Sequence, residues 1–400
     1  MVITRTPFRI SLAGGGTDLP SYFKKKNGSV INFSIDKYIY VVVKKQLGVV
    51  EYKYRINWST VEFCNTIKKI QHPIVRKTLE YFKIDFPIQI STFSDVPAYT
   101  GLGSSSSFSV GLIHAISKLI KKNYSKKEIS ALAFFIESSI KDRTVGKQDH
   151  YCASYGGLNR FYFYKNGDVK TKKLYLSNFY KKKLERSLIL FYTKKKRKSE
   201  TILNEQSKNI KQKLIFLDKM KDQVNLLEKL IIDKNINKIG ELLNKGWELK
   251  KNVNKMISNP NIDRFYKLAI SKGALGGKIL GAGNGGFELA LTEETETEIL
   301  SSASHSSEEP VYQPSLGPVD IQVIDPRHLT QSEFALKMYG EVYNASSSDP
   351  RHIVLDQNVS KWELVNLNTN ESYVSDATIG DGNQQLFSEF GFSIEVNQEN

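Results

Sequence analysis

Apolar and polar positions over the first 290 residues alternate or cluster in a way that predicts a mixed chain of strands and helices. Val2 to Ile10 reads as a strand running into a turn built on Gly14-Gly15-Gly16, and β-rich runs recur at Ser29–Ile35, Lys37–Val43 and Pro87–Phe93. The first long helix is expected after Ser104-Ser105-Ser106-Ser107. Phe108, Leu112, Ile113, Ile116, Leu119 and Ile120 fall on one helical face there, and Lys121-Lys122 end it. A second helix is expected over about 126–141. A strand pair over 157–164 and 169–176 brackets Lys165-Asn166-Gly167-Asp168, a turn whose Asn-Gly supplies positive φ. A strand over 187–192 leads into the basic run Lys194–Lys198. Lys- and Leu/Ile-rich helices fill about 200–252, a short helix covers 262–272, and a strand–turn–strand surrounds Gly281–Leu291. Strands and helices mixed in this order suit an α/β or α+β enzyme.

The pattern changes after Leu291. Thr292–Ser307 is acidic, then Ser-rich, and predicts a short helix passing into a linker. Runs at 319–324, 362–367 and 390–396, with turns at Asp381-Gly382 and Asn368-Thr369-Asn370, predict a small β-rich module. Charge sharpens this division. The whole chain carries 57 basic and 42 acidic residues for a net +15. Residues 291–400 hold 4 basic and 19 acidic residues, leaving 53 and 23 in residues 1–290. Segments of net −15 and +30 in one chain point to two pieces of different role.

Composition narrows the class. With 40% hydrophobic and 25% charged residues, a 400-residue chain is globular and long enough for two or three domains. No apolar stretch is long enough to span a bilayer, and the amino terminus lacks the basic-then-apolar plan of a signal peptide. Cys64 and Cys152 cannot make a disulfide framework and have no zinc-ligand spacing around them, so a cytoplasmic protein is expected.

Three glycine-rich segments carry the candidate chemistry. Pro97-Ala98-Tyr99-Thr100-Gly101-Leu102-Gly103-Ser104-Ser105-Ser106-Ser107 stands directly before the strongest helix. Glycines let the backbone approach a ligand, and the helix start offers unpaired N–H groups and a positive dipole end. Serines there cap the helix, hold phosphate oxygens or ligate Mg²⁺. Taken alone, the segment is equally a phosphate site or a well-capped helix after a flexible loop. Lys278-Ile279-Leu280-Gly281-Ala282-Gly283-Asn284-Gly285-Gly286-Phe287 reads as a close approach to a ligand or backbone, or as a tight hairpin. Neighbouring Gly273–Lys278 mimics a Walker A loop, but its spacing is one residue short and Ile279 stands where Ser or Thr must hold Mg²⁺. Asp18, just after Gly14–Gly16, could hold sugar hydroxyls or close an Asx-type turn.

Together these segments resemble the GHMP kinase superfamily (galactokinase, homoserine, mevalonate and phosphomevalonate kinases). Arg5–Phe23, Pro97–Ser107 and Lys278–Phe287 look like its three motifs. Gly15-Gly16 with Thr17-Asp18 is similar to the branch of bacterial D-glycero-α-D-manno-heptose 7-phosphate kinases and their L-fucokinase relatives. Val145-Gly146-Lys147-Gln148-Asp149-His150-Tyr151 and Ile257-Ser258-Asn259-Pro260-Asn261-Ile262-Asp263 support that branch.

The resemblance implies an α+β, two-domain fold: a ribosomal S5 domain 2-like, ATP-binding N-terminal domain over 1–178 and a ferredoxin-like domain over 179–302, followed by the β-rich module over 303–400. It implies an ATP- and Mg²⁺-dependent kinase acting on the anomeric C1 hydroxyl of the heptose 7-phosphate, giving the 1,7-bisphosphate for nucleotide-activated heptose and surface glycans. L-Fucose or another sugar is the alternative acceptor. Asp149 would be the catalytic base and Arg9 its charged partner. Pro97, Gly101, Leu102, Gly103, Ser104, Ser105 and Ser106 would bind ATP phosphates, with Ser105 on Mg²⁺. Asp18, Thr17, Gly16, Gly281, Gly283 and Gly285 would lie on the substrate side, and Arg197 would meet the sugar's own phosphate. His150 is expected in packing or behind the site, and Cys152 buried. Asn284 replaces a usual glycine, and no closing strand of the second domain is recognisable after Leu291.

Two other classes stand beside this reading. The +30 segment could bind nucleic acid, but its lysines are scattered and lack a stacking or groove-reading motif, so no nucleic-acid or membrane partner is expected. An interaction or adhesion protein defined by the acidic tail is the other. A homodimer is left open.

Overall fold

The computed structural model describes residues 1–193, 195, 202–205 and 210–292, together with the backbone of short strands between 311 and 397. The chain divides into two compact units, one spanning Val2–Val323 and the other holding Ile324–Asn400.

In the first unit, β1 (Val2–Ala13) runs antiparallel to β2 (Gly28–Lys45). The sequence predicts two strands over 29–35 and 37–43; the structure joins them into one of 18 residues. The polar pair Asp36-Lys37 interrupts the apolar pattern but does not end the strand: the β1–β2 register shifts there, between Ser34 and Tyr38, and β2 changes its other partner. Gly28–Phe33 pairs with β6 (Leu158–Phe163), and Ile39–Lys45 pairs with β5 (Ile88–Ser94). Beyond β5 lie β3 (Tyr54–Asn57), parallel to it, and the edge strand β4 (Val61–Cys64). β7 (Val169–Lys173) pairs with β6 across the expected Asn166-Gly167 turn.

Helices α2 (Pro73–Phe82), α3 (Ser104–Leu119), α4 (Lys126–Ser138) and α5 (Gln148–Tyr155) pack with this sheet, below the four-residue turn α1 (Pro20–Phe23) in chain order. The one-faced burial expected for α3 is replaced by burial on nearly all sides, since every residue from Ser106 to Ile113 is buried. Phe108, Leu112, Ala115 and Ile116 join the core of the sheet, whereas Val110 and Ile113 pack with Ile129, Ala133 and Ile136 of α4 and Ala153 of α5. Small residues permit this double contact. A Cβ on Gly111 would stand 2.6 Å from Thr6 Oγ1 of β1, and Thr4 Oγ1 donates to the Gly111 carbonyl at 2.9 Å.

The second half of this unit is built on β8 (Leu188–Tyr192), β9 (Gly276–Ile279) and β10 (Phe287–Leu291), with β10 central and antiparallel to both neighbours. Helices α6 (Asn178–Arg186), α7 (Ile210–Ile232), α8 (Ile236–Val253) and α9 (Pro260–Ser271) accompany it. A strand unrecognised in the sequence, β11 (Val311–Tyr312), adds to the free edge of β8 through Phe191 and Leu190. The helix expected over 292–307 lies outside the described residues after Thr292.

The second unit is β-rich, as the sequence predicts. Glu341–Tyr343, Phe334–Met338, Trp362–Asn366 and Glu371–Ser375 form one antiparallel sheet in that order. His352–Asp356 runs parallel to Phe392–Asn397, which pairs antiparallel with Gln385–Phe387. Among the described residues no helix is long and apolar enough to cross a membrane.

Candidate active site

The site starts from a break in the β1–β2 ladder. Pro7 has no N–H to give, and the register shifts between Pro7 and Arg9. The Arg9 N–H leaves the sheet and donates to the Leu102 carbonyl at 3.1 Å. Its side chain, 3% exposed, follows the same direction. Nη1 donates to the Gly101 carbonyl at 2.7 Å, while Nε and Nη2 grip the two oxygens of Asp149 at 2.7 and 2.6 Å. Asp149 stands in the first turn of α5, and a quarter of its side chain remains exposed. Arg9 and Asp149, named from the sequence, are thus brought together at the glycine loop.

That loop has the geometry its glycines promise. Gly101 and Gly103 adopt φ of 85° and 81°, and Gly103 is the residue from which α3 begins. No side chain caps this helix start, so its N–H groups stay available to an anion. Leu102 is buried beneath the loop, Thr100 Oγ1 closes it on the Pro97 carbonyl at 3.0 Å, and Ser107 Oγ ties α3 to the Pro7 carbonyl at 2.9 Å.

Ser105 and Ser106 turn toward a carboxylate that no motif in the chain singles out. Glu137 of α4 is 1% exposed and accepts from Ser105 Oγ, from Ser106 Oγ at 3.3 Å and from Arg143 at 2.8 Å. It also meets Nε2 of the fully buried His150 at 2.7 Å. Burial would push Glu137 up, but bonding to His150 and the charges of His150 and Arg143 outweigh it and hold the carboxylate at about 2. His150 therefore lies behind the site, as expected, and Cys152 is buried.

Asp18 is 2% exposed and its oxygens are already engaged. Oδ1 accepts from Gly16 N at 3.0 Å and Gln148 Nε2 at 3.3 Å, and Oδ2 from Gln148 N at 3.2 Å. The Asp18 carbonyl takes the Lys147 N–H at 3.2 Å. Lys147, at the start of α5, supplies no side-chain cap of its own, so Asp18 caps the helix from a distant segment. Burial, followed by the Asp149 charge, raises the Asp18 carboxyl to about 6. Thr17 is fully buried and faces inward: Oγ1 donates toward the Gly14 and Ser29 carbonyls at 2.8 and 3.0 Å and accepts from Ser29 N at 3.1 Å. It holds the glycine turn to β2.

The third glycine segment, between β9 and β10, touches the Pro97–Ser107 loop at Thr100. Phe287 N donates to the Thr100 carbonyl at 3.0 Å, and a Cβ on Gly286 would stand 2.2 Å from that same oxygen. A Cβ on Gly283 or Gly285 would likewise stand 2.6 Å from a backbone carbonyl oxygen, of Ile257 and Lys195 respectively, and Gly281 has φ of 60°. Asn284 takes φ of 63° and keeps the loop closed through its N–H to the Ile257 carbonyl at 2.6 Å. Lys278 lies within strand β9, its buried ammonium on the Leu12 carbonyl at 3.2 Å, which is not the placement of a P-loop lysine. Arg197 falls outside the described residues. Lys195, two positions earlier, is fixed to this segment through its carbonyl and Gly286 N at 2.9 Å.

A buried arginine–carboxylate pair, a glycine loop opening a helix and a buried carboxylate at that helix start are the kind of arrangement that phosphoryl transfer uses. Residues 65–157 match the GHMP kinases N terminal domain and residues 226–306 match the GHMP kinases C terminal domain. The chain is 31% identical over 307 residues to the D-glycero-alpha-D-manno-heptose 7-phosphate kinase of Campylobacter jejuni, covering 73% of this chain and 90% of that one. It is also 31% identical over 231 residues to a mevalonate kinase of Methanocaldococcus jannaschii, covering 56% and 69% of the two chains. The crystal structure of a D-glycero-D-manno-heptose 1-phosphate kinase from Bacteriodes thetaiotaomicron shares the fold at a TM-score of 0.66 and 22% identity, covering 81% of this chain and 99% of that one. The protein belongs to the GHMP kinase family and is a phosphotransferase.

Proposed function

We propose that the protein transfers the γ-phosphoryl group of ATP to the anomeric C1 hydroxyl of D-glycero-α-D-manno-heptose 7-phosphate, giving the 1,7-bisphosphate. The observation that carries the reading is the double role of Arg9, whose guanidinium holds the Asp149 carboxylate and the Gly101 carbonyl at once. Base and phosphate loop are therefore fixed to one rigid group, which is the positioning that phosphoryl transfer demands. The 31% identity with the C. jejuni enzyme over nine-tenths of its length favours a heptose phosphate as acceptor.

Asp149 takes the proton of the C1 hydroxyl as that oxygen attacks the γ-phosphorus. The bond from phosphorus to the bridging oxygen breaks, and ADP leaves with the electron pair. Arg9 orients the Asp149 carboxylate and offsets charge on the transferring group. The amides of Gly103, Ser104, Ser105 and Ser106, at the start of α3, bind the donor phosphates. Asp18 holds the start of α5, and with it Asp149. The Ser105 hydroxyl and Glu137 carboxylate are hard oxygen donors beside the phosphate loop, and they fit Mg²⁺. Bound there, Mg²⁺ would neutralise phosphate charge. We assign ATP binding to 1–178 and no part in transfer to 303–400.

The test is ATP-dependent phosphorylation of the heptose 7-phosphate against L-fucose and mevalonate, with the full chain and Asp149→Asn. Heptose-selective turnover that Asp149→Asn abolishes is the expected result. Turnover of L-fucose or mevalonate in preference would overturn the acceptor assignment.

A further inference from the structure

The proposed transfer leaves one strong cation of the site without a role. Arg143 lies in the loop between α4 and α5, and its guanidinium reaches back to the start of α3. Nη2 stands 2.5 Å from Ser105 Oγ and 2.8 Å from Glu137 Oε1. Glu137 is served by other donors: His150 and Ser106 on one oxygen, Ser105 on the other. Within this cluster Glu137 and His150 are sealed at 1% and 0% exposure, whereas the Arg143 side chain is 15% exposed. Arg143 is thus the open face of a buried polar cluster, at one of the hydroxyls expected to meet the donor phosphates.

With Mg²⁺ held by Ser105 Oγ and Glu137, the guanidinium would give up the two atoms that Nη2 holds and turn toward the donor's terminal phosphate. There it would make a charge-assisted hydrogen bond, for which a planar guanidinium is well suited. Arg9 approaches the same loop from its other end, through the Gly101 carbonyl.

We propose that Arg143 is a second catalytic cation of the transfer, contacting the terminal phosphate of the donor on the side opposite Arg9. As the bond from phosphorus to the bridging oxygen breaks and the bond to the sugar oxygen forms, negative charge shifts onto the bridging and equatorial oxygens. Arg143 stabilises that charge and exchanges no proton; the acceptor's proton still goes to Asp149.

This inference rests on the phosphate-loop reading, and its test separates the two. Binding of ADP and of a non-hydrolysable ATP analogue is measured by calorimetry on the full chain, on Arg143→Gln and on Arg143→Lys, alongside steady-state kinetics and melting temperature. Arg143→Gln is expected to lower kcat about 100-fold and to weaken the analogue at least about tenfold more than ADP, with the sugar KM within about twofold. Arg143→Lys keeps a charge for Glu137 and guards against misfolding. It is expected to melt near wild type yet lose about tenfold in kcat and part of the preference for the analogue. Wild-type nucleotide affinities and kcat in either folded variant, with only the melting temperature lowered, would make Arg143 a structural counter-ion and overturn the proposal. A folded wild-type chain that binds neither nucleotide would remove the phosphate-loop reading, and this inference with it.

Discussion

Arg9 of β1 and Asp149 of α5, 140 residues apart in sequence, meet through two hydrogen bonds of 2.7 and 2.6 Å. A lysine at position 9 could reach the carboxylate or the Gly101 carbonyl, but it has no fork with which to hold both. Arg9→Lys is expected to lower kcat about 100-fold with little change in nucleotide affinity, and Asp149→Asn to lower it about 10³- to 10⁴-fold. Steady-state kinetics with the heptose 7-phosphate checks both. Near-normal turnover by Arg9→Lys would show that charge alone suffices at this position.

The cap that Asp18 places on α5 depends on a glycine. A Cβ at position 146 would stand 1.9 Å from Asp18 Oδ2. Gly146→Ala is expected to push Asp18 off the helix start and displace Asp149, reducing kcat more than it raises the sugar KM. A change confined to the sugar KM would instead favour Asp18 as a direct hydroxyl ligand.

Thr17 offers its hydroxyl to the backbone of Gly14 and Ser29 rather than to the site. Thr17→Val keeps the shape but leaves buried polar groups unpaired, at a cost of about 1–3 kcal/mol. Denaturant unfolding is expected to show that loss, while the folded variant retains its sugar KM.

Gly286 stands against the Thr100 carbonyl with φ of 91°. A methyl group there, in a backbone region that L-residues avoid, displaces the phosphate loop. Gly286→Ala is therefore expected to weaken ADP binding by about tenfold or more, read by calorimetry. Unchanged affinity would mean that the loop holds its form without this contact.

Glu288 on β10 is 1% exposed, and neither of its oxygens has a hydrogen-bond partner among the described residues. Burial, with a smaller push from Asp263, raises its carboxyl from the ordinary 4.5 to about 8. Between those values the folded protein keeps a proton that the unfolded chain has released. Its contribution to stability therefore falls as pH rises, by up to about 1.4 kcal/mol per unit, and levels off above the folded value. Glu288→Gln is expected to melt progressively higher than wild type between pH 5 and pH 8.5. A difference that stays constant over that range would count against this origin.

Much of the site was legible in the chain because its chemistry is local. Glycines that admit positive φ and serines opening a helix carry their meaning in consecutive residues, whereas Arg9 and Asp149 stood out through the family resemblance of their motifs; the structure brings both to the Gly101–Ser106 loop. Glu137 could not be read this way. On α4 it is one charged residue in an amphipathic pattern, and only the packing of α4 against α3 and α5 turns it toward Ser105 and His150. Thr17 and Asp18 show the converse: both were expected on the substrate side, while their partners in the fold are backbone groups of Gly14, Gly16, Ser29 and Gln148 and the Gln148 side chain. The strand β2 was divided at Asp36-Lys37 because polarity marks a change of neighbour as readily as an end.

The sequence by itself determined the glycine-rich segments, most of the long strands and helices over 1–290 and the β-rich character of the tail, since each follows from short-range periodicity and backbone preference, while the kinase motifs were legible through their family resemblance. Only the tertiary structure decided which carboxylate faces the Gly101–Ser106 loop, which one caps α5, which glycine meets Thr100 and where Arg143 reaches. Those assignments depend on contacts between segments far apart in the chain, and no local pattern encodes the direction in which a buried side chain finds its partner.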